Sequence, residues 1–335
     1  MNNNKRLALI LALVVIVGVV MYRYDFPFSK KDVDQVGKVS IAASLTLSPA
    51  PIWIAYDKGF FRQEGVDASI KQYSSGKTTT EAMLKGEVDL SASAEFLAVK
   101  KSFKHKELRI LGTTAFVHQI KLLGLRQHGI EKLSDIKGKR IGVRLGTNGE
   151  YFLARLLTLN GMQRKDIKWI NLAPQKKLDA MEAGNVDGVL TWPPFVQQIE
   201  KHLGDKVVSF DGQPGQDYYY LLLTRKNWIE KNPLIAERVM SALNKAQLWM
   251  KENPQQARVY MADKFNIDVQ KIEQVLREYR YSISLPQTLL TAMEAENRWL
   301  LSLADNQDAA VTNFLELIVF EPLQKASPRD VTIVH

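Results

Sequence analysis

AMLKGEVDL (residues 82–90) and AMEAGNVDG (residues 180–188) match at Ala, Met, Gly, Val and Asp. A glycine closing a short apolar helix, followed by Val-Asp and another apolar run, is how a chain turns from a helix through a left-handed cap into a buried strand. The Asp is expected to begin each strand by bonding nearby backbone amides. The repetition therefore predicts two similar α/β lobes. Beyond each strand the two copies part: Ser91 to Glu95 in the first, Thr191-Trp192-Pro193-Pro194 in the second.

The surrounding chain has the same grammar. VSIAAS (39–44) reads as a buried strand, PIWIAYDKGFF (51–61) as a helix started at Ser48 or Pro49 and stopped at Gly59, and VDASIKQY (66–73) as an alternating strand. SSGK (74–77) turns, TTTEAMLKG (78–86) is helical, and EFLAVKKSF (95–103) forms the helix after the repeated strand. The order restarts with strand KRIGVRL (139–145), helix EYFLARLLTLNG (150–161), helix KKLDAMEAG (176–184), strand VDGVLT (186–191) and helix PPFVQQIEKHLG (193–204). Repeated β-loop-α units predict parallel sheets with helices on their faces. After DYYYLLLTR (217–225) the pattern is helical only, from Asn227 to about Val319, broken at Asn232-Pro233, Asn253-Pro254, Asn266 and Leu285-Pro286.

Composition agrees. A chain of 335 residues, 46% hydrophobic and 24% charged, is globular and long enough for two lobes. The net charge of +9 is spread along the chain rather than gathered in a stripe, so it reads as a solvated basic surface and not a nucleic-acid site. The absence of cysteine excludes disulfides, thiol nucleophiles and cysteine metal sites, and it fits an exported protein. Residues 1–24 stand apart: Lys5 and Arg6 precede Leu7 to Met21, a run without charge. This is an export signal or a membrane anchor. As a helix the run spans roughly 22 Å, and with Tyr22 to Tyr24 about 27 Å, near the thickness of a hydrocarbon core. No small-x-small cleavage triplet comes after it, which favours an anchor in the inner membrane through residues 7–24, with the rest of the chain on the outer face.

Four stretches carry a family resemblance. AYDKGFFRQEGV (55–66), LKGEVDLS (84–91), LSDIKGKRIGV (133–143) and AMEAGNVDGVLTWPPF (180–195) resemble, in order and spacing, motifs of the solute-binding proteins for nitrate, sulfonate, taurine and thiamine-pyrimidine precursors. The similarity runs from about Lys38 to beyond Asn253. It implies a two-lobed type II periplasmic-binding-protein fold with a helical C-terminal part. Lobe I would comprise residues 38–118 and the return at 226–335, lobe II residues 128–218, with hinge crossings near 116–128 and 218–226. The implied partners are an ABC permease and its ATPase, and the implied function is closure on a small organic nitrogen or sulfur compound. A membrane-anchored ligand sensor and a pyrimidine-synthesis-like enzyme on the same fold are the alternatives.

Ligands of open α/β sheets sit beyond the carboxyl ends of the strands. That places Ser44, Pro49, Ser75, Gly76, Ser93, Glu95 and Thr114 on one wall and Thr147, Asn148, Gly149, Glu150 and Trp192 on the other. In GTNGE a strand runs through glycine directly into a helix, presenting the amides of Thr147, Asn148 and Gly149 to an anionic or carbonyl group. Glu150 is favourable in the first helical turn whatever its role. If it and Glu95 both face the cleft, a simple oxyanion is disfavoured and an amine-bearing or heterocyclic ligand preferred. No cleft loop except SSGK carries a cation at its tip in this reading. Trp192 is placed to stack on a flat ligand or to pack between lobes, and one of Tyr218 to Tyr220 is expected to reach the cleft. The five histidines form no metal-spaced pair, and no nucleophile elbow or phosphate loop occurs, so no catalytic residue, metal or cofactor is assigned.

Overall fold

The structure, a computed structural model, describes residues 36–303 and 312–334. The first sheet starts with β1 (Gly37–Ser44) and β2 (Val66–Tyr73), parallel over their whole length. β3 (Leu90–Ala94) joins the other side of β1. β4 (Leu108–Val117) is separated from β3 by β10 (Tyr218–Arg225), which returns from far along the chain and runs antiparallel to both. β11 (Tyr279–Tyr281) pairs with the free side of β4, giving the order β11-β4-β10-β3-β1-β2. The second sheet holds β5 (Lys121–Leu125), β6 (Arg140–Val143), β7 (Lys168–Asn171), β8 (Gly188–Thr191) and β9 (Val207–Asp211), ordered β7-β6-β8-β5-β9.

On the first sheet's side, α1 (Ala50–Asp57), α2 (Phe60–Gln63), α3 (Gly76–Leu84) and α4 (Glu95–Ser102) come after the early strands. In the second, α5 (Asn148–Leu159), α6 (Lys177–Glu182) and α7 (Phe195–Leu203) alternate with β6 to β9. The C-terminal part adds α8 (Lys226–Lys231), α9 (Pro233–Glu252), α10 (Pro254–Lys264), α11 (Ile272–Leu276), α12 (Gln287–Leu303) and α13 (Glu321–Ala326). In α9, buried Ala236, Met240, Leu243, Ala246 and Met250 recur at helical spacing and form its core-facing stripe.

Both copies of the repeated phrase build one device. At the end of α3, the amides of Gly86 and Glu87 donate to the carbonyls of Met83 and Ala82; at the end of α6, Gly184 and Asn185 donate to Met181 and Ala180. Gly86 (φ 82°) and Gly184 (φ 66°) take the left-handed conformation this cap requires. Val88 and Val186 are then buried. The two aspartates reach further than the sequence indicates. Asp89 accepts from the amide and hydroxyl of Ser40 (2.8 and 2.7 Å), and Asp187 from the amide and guanidinium of Arg140 (2.7 Å each). Each thus ties the start of its strand to the neighbouring parallel strand, not to amides nearby in sequence.

Two readings from the sequence differ from the structure, the position of the crossings and the all-helical C-terminal region. The chain crosses between sheets at residues 118–120 and 212–217, because β5 already belongs to the second sheet and all of β10 to the first. The C-terminal region is not helical only, since β11 borrows its hydrogen bonds from the edge of β4, a tertiary pairing that local pattern does not carry. The expected N-terminal helix at residues 7–24 lies outside the described residues; among those described, no helix is long and apolar enough to cross a membrane.

Candidate functional site

Between the two sheets the strand ends enclose a cavity of about 50 Å³, several times the ~10–15 Å³ that admits one water. The first sheet contributes Ser44, Thr46 and Ser48 after β1, Ser74 to Lys77 after β2, and Ala94 and Leu97 around the start of α4. Tyr218 and Tyr220 of β10 form the floor with Gln119 of the first crossing. The second sheet contributes Arg144, Thr147 and Asn148 after β6 and Trp192 after β8.

The floor is a network of neutral hydroxyls. Ser44 shares hydrogen bonds with Thr46 (3.0 Å) and with the Tyr220 hydroxyl (3.2 Å), while Ser48 meets the Tyr218 hydroxyl (3.3 Å), to which the Gln119 carboxamide also donates. Burial pushes Tyr220 up to about 12 and Tyr218 higher still, so both phenols keep their protons and remain donors. Alternation along β10 sends these two tyrosines to the cleft and Tyr219 to the opposite face, where it packs edge-on against Phe116.

Two helix starts face one another across the cavity. Ser75 caps α3, its hydroxyl accepting from the Thr78 amide (3.4 Å). At α5 the Thr147 hydroxyl donates back to the Arg144 carbonyl (2.7 Å) and leaves the first turn uncapped by a side chain. Behind Trp192 lies the fully buried Lys177, whose amine donates to the Leu190 carbonyl (2.6 Å) and sits 4.9 Å from the indole centre. Burial, reinforced by Arg144, pulls this amine down to about 7.

Of the twelve residues expected at the site, Ser44, Ser75, Gly76, Thr147, Asn148 and Trp192 line the cavity. The other six do not. Thr114 is buried beneath the floor, donating to the carbonyl of Tyr220 (3.2 Å), and Ser93 lies behind α3, accepting from Thr80 (2.9 Å). Pro49 is the residue before α1, and Gly149 faces the second sheet, where an added Cβ would meet Leu190 and Val143.

The condition for preferring an amine-bearing or heterocyclic ligand, Glu95 and Glu150 both facing the cleft, is not met. Glu150 turns back over its own loop, accepting from the Gly146 amide (2.6 Å) and pairing with Arg164 (3.0 Å). Glu95, the first residue of α4, and Glu296 of α12 are fully buried and outside the cavity lining. Burial raises both, and the charge of Glu95 raises Glu296 further. No carboxylate lines the cavity, whereas two cations do: Lys77 from one wall and Arg144 from the other. Arg144 was hidden in the sequence because KRIGVRL reads as an unbroken strand; β6 ends at Val143, making Arg144 the first loop residue. Among the described residues no group of acidic or histidine side chains is placed to hold a metal ion. His118 lies at the crossing, between Asp217 (3.2 Å) and Asp211 (3.3 Å), outside the cavity lining.

A cleft between two such sheets, joined by two crossings, defines the chain as a two-lobed protein of the periplasmic-binding-protein fold. It belongs to the NMT1/THI5-like family, whose model matches residues 48–257. Similar proteins include the taurine-binding periplasmic protein of Escherichia coli, 25% identical over 66% of this chain and 68% of that one. Another is the 4-amino-5-hydroxymethyl-2-methylpyrimidine phosphate synthase of Schizosaccharomyces pombe, 25% identical over 62% of this chain and 63% of that one. The alkanesulfonate-binding protein of Xanthomonas axonopodis pv. citri, solved bound to MOPS, shares the fold with a TM-score of 0.68 and 18% identity, covering 80% of this chain and 93% of that one.

Proposed function

We propose that this protein is the solute-binding component of an ABC importer, acting on the outer face of the cytoplasmic membrane, and that its two lobes close on a small organic oxyanion of the sulfonate kind. The observation that carries this reading is the cavity lining: Arg144 and Lys77 from opposing walls, two helix starts, neutral hydroxyls on the floor, and no carboxylate. A ligand that touches both walls stabilises the closed state by the contacts it makes only there. Kinship to sulfonate- and taurine-binding proteins supports the same ligand class. Of the twelve residues expected from sequence, the six that line the cavity are kept as ligand contacts, joined by Lys77, Arg144, Gln119 and the two floor tyrosines. Tethering through residues 7–24 is part of this proposal, and membrane fractionation of the expressed protein tests it.

A thermal-shift screen of the full chain against ethanesulfonate, taurine, nitrate, an aminopyrimidine and a diamine tests the ligand class. A bound sulfonate at 100 times its dissociation constant should add about 2.7 kcal/mol of stability. A shift with the diamine and none with any oxyanion would defeat the reading. Similarity to a synthase keeps an enzymatic role in view; turnover of the aminopyrimidine on incubation would establish one.

A further inference from the structure

Charge around the cleft exceeds what a single negative ligand group would answer. Lys77 and Arg144 line it from opposite walls. Lys100 of α4 extends across to the loop after β6, its amine 3.0 Å from where a Cβ on Gly146 would stand. Lys177 lies behind Trp192, close enough to Arg144 for the two charges to act on each other. Among the described residues none of these four basic side chains forms an ion pair with a carboxylate. The carboxylate whose charge Lys100 feels is Glu150, already committed to the Gly146 amide and Arg164. Elsewhere on the surface, neighbouring cations are matched: Lys101 faces Glu81 at 3.7 Å and Lys176 faces Asp179 at 3.8 Å. Like charges drawn together in a closing, water-poor cleft repel one another, and the repulsion grows as the local dielectric falls.

We propose that the cleft is shaped for a ligand bearing two negative charges on a short spacer, such as a sulfocarboxylate or phosphonocarboxylate, with one charge at Arg144 and the second at Lys77 under the influence of Lys100. This rests on the oxyanion reading above and narrows it. The small enclosed volume requires both charges on one compact molecule, and their placement on opposing walls makes the dianion the species that best offsets the repulsion on closure. A monoanion touching both walls divides one charge between two cations and leaves a net positive charge unanswered.

Calorimetric titration of the full chain separates the two levels of the argument. Sulfoacetate, ethanesulfonate, taurine and a diamine are titrated at low and high salt. Sulfoacetate should bind at least about tenfold more tightly than ethanesulfonate and lose affinity more steeply with salt. Lys77→Gln and Lys100→Gln should each weaken sulfoacetate more than ethanesulfonate, with melting curves of the unliganded variants showing that they fold. Ethanesulfonate or taurine binding as tightly as sulfoacetate, or equal losses for both in Lys77→Gln, overturns the dianion proposal and leaves the oxyanion reading standing. Binding of the diamine alone, or of none of the three sulfonates, overturns both.

Discussion

The two lobes carry the same phrase and use its halves differently. Gly-x-Val-Asp does identical work in each: a left-handed cap, a buried valine, and an aspartate that fastens one parallel strand to the next. The strand ends beyond it diverge. In the first lobe Ser91 and Ser93 are buried and Glu95 lies outside the cavity lining, leaving Ala94 as a small, featureless wall. In the second lobe Trp192 closes the cavity with Lys177 behind it. The difference teaches that the repeated part makes the scaffold, and that the cavity lining comes from the unrepeated loops.

The aspartates give the largest way to break that comparison. Asp187 serves an amide, a guanidinium and His128 (2.9 Å), whereas Asp89 serves Ser40 alone among side chains. Asp187→Ala should cost more than Asp89→Ala, because it leaves the Arg140 amide without its acceptor and removes the guanidinium and His128 contacts together, whereas Asp89→Ala should cost about 1–3 kcal/mol, both read from urea melts. Equal losses would show that the second aspartate's charge partners add nothing. The pH dependence has a definite sign. Burial acts to raise Asp187, but the contacts with Arg140 and His128 outweigh it and hold the carboxyl at about 2, below its ordinary 3.8. Its contribution is therefore complete above about pH 3.8 and disappears as pH falls through 2.

Buried carboxylates act in the opposite direction. Glu95 and Glu296 hold protons in the folded state that the unfolded chain releases above its ordinary value of 4.5. Stability falls as pH rises from that value toward the native titration. Glu95→Gln or Glu296→Gln should consequently raise the melting temperature at pH 8 and leave it nearly unchanged at pH 4. A drop at pH 8 would mean that the pair is ionised and held by partners.

Smaller effects sharpen the comparison. Gly86→Ala and Gly184→Ala should each cost about 1–2 kcal/mol, and by similar amounts, since each places a Cβ in left-handed backbone. Space is not the obstacle: nothing lies within 4 Å of the new atom at Gly86, and only the His128 ring, at 3.9 Å, at Gly184. The smallest effect belongs to Glu150→Gln. With its carboxylate facing Gly146 and Arg164, the substitution should alter sulfonate affinity by less than about threefold, a change near the limit of routine calorimetry. A large gain in anion affinity would put the carboxylate back at the cleft.

Much of the scaffold was legible because its signals are local: period-two and period-3.6 apolar patterns, capping glycines, prolines at helix starts. β11 was not, as Tyr279 to Tyr281 become a strand only through pairing with β4. Of the residues that strand-end position pointed to, Ser44, Ser75, Gly76, Thr147, Asn148 and Trp192 line the cavity. That position could not say which way the first helical residue points, and so it misplaced Glu95 and Glu150. Arg144 was lost to a strand drawn two residues too long, and Gln119 sits on a crossing segment without periodicity. The β10 tyrosines could have been found from alternation alone, since Tyr218 and Tyr220 must share a face.

The central claim is that loop cations added to a repeated scaffold make this an oxyanion-binding cleft, and calorimetric titration of ethanesulfonate into the native chain and Arg144→Ala tests it most directly. Ethanesulfonate should bind the native chain saturably and the variant at least about a hundredfold more weakly, with the melting temperature of the unliganded protein unchanged. Undiminished affinity in Arg144→Ala, or binding of ethylammonium in place of ethanesulfonate, would contradict it.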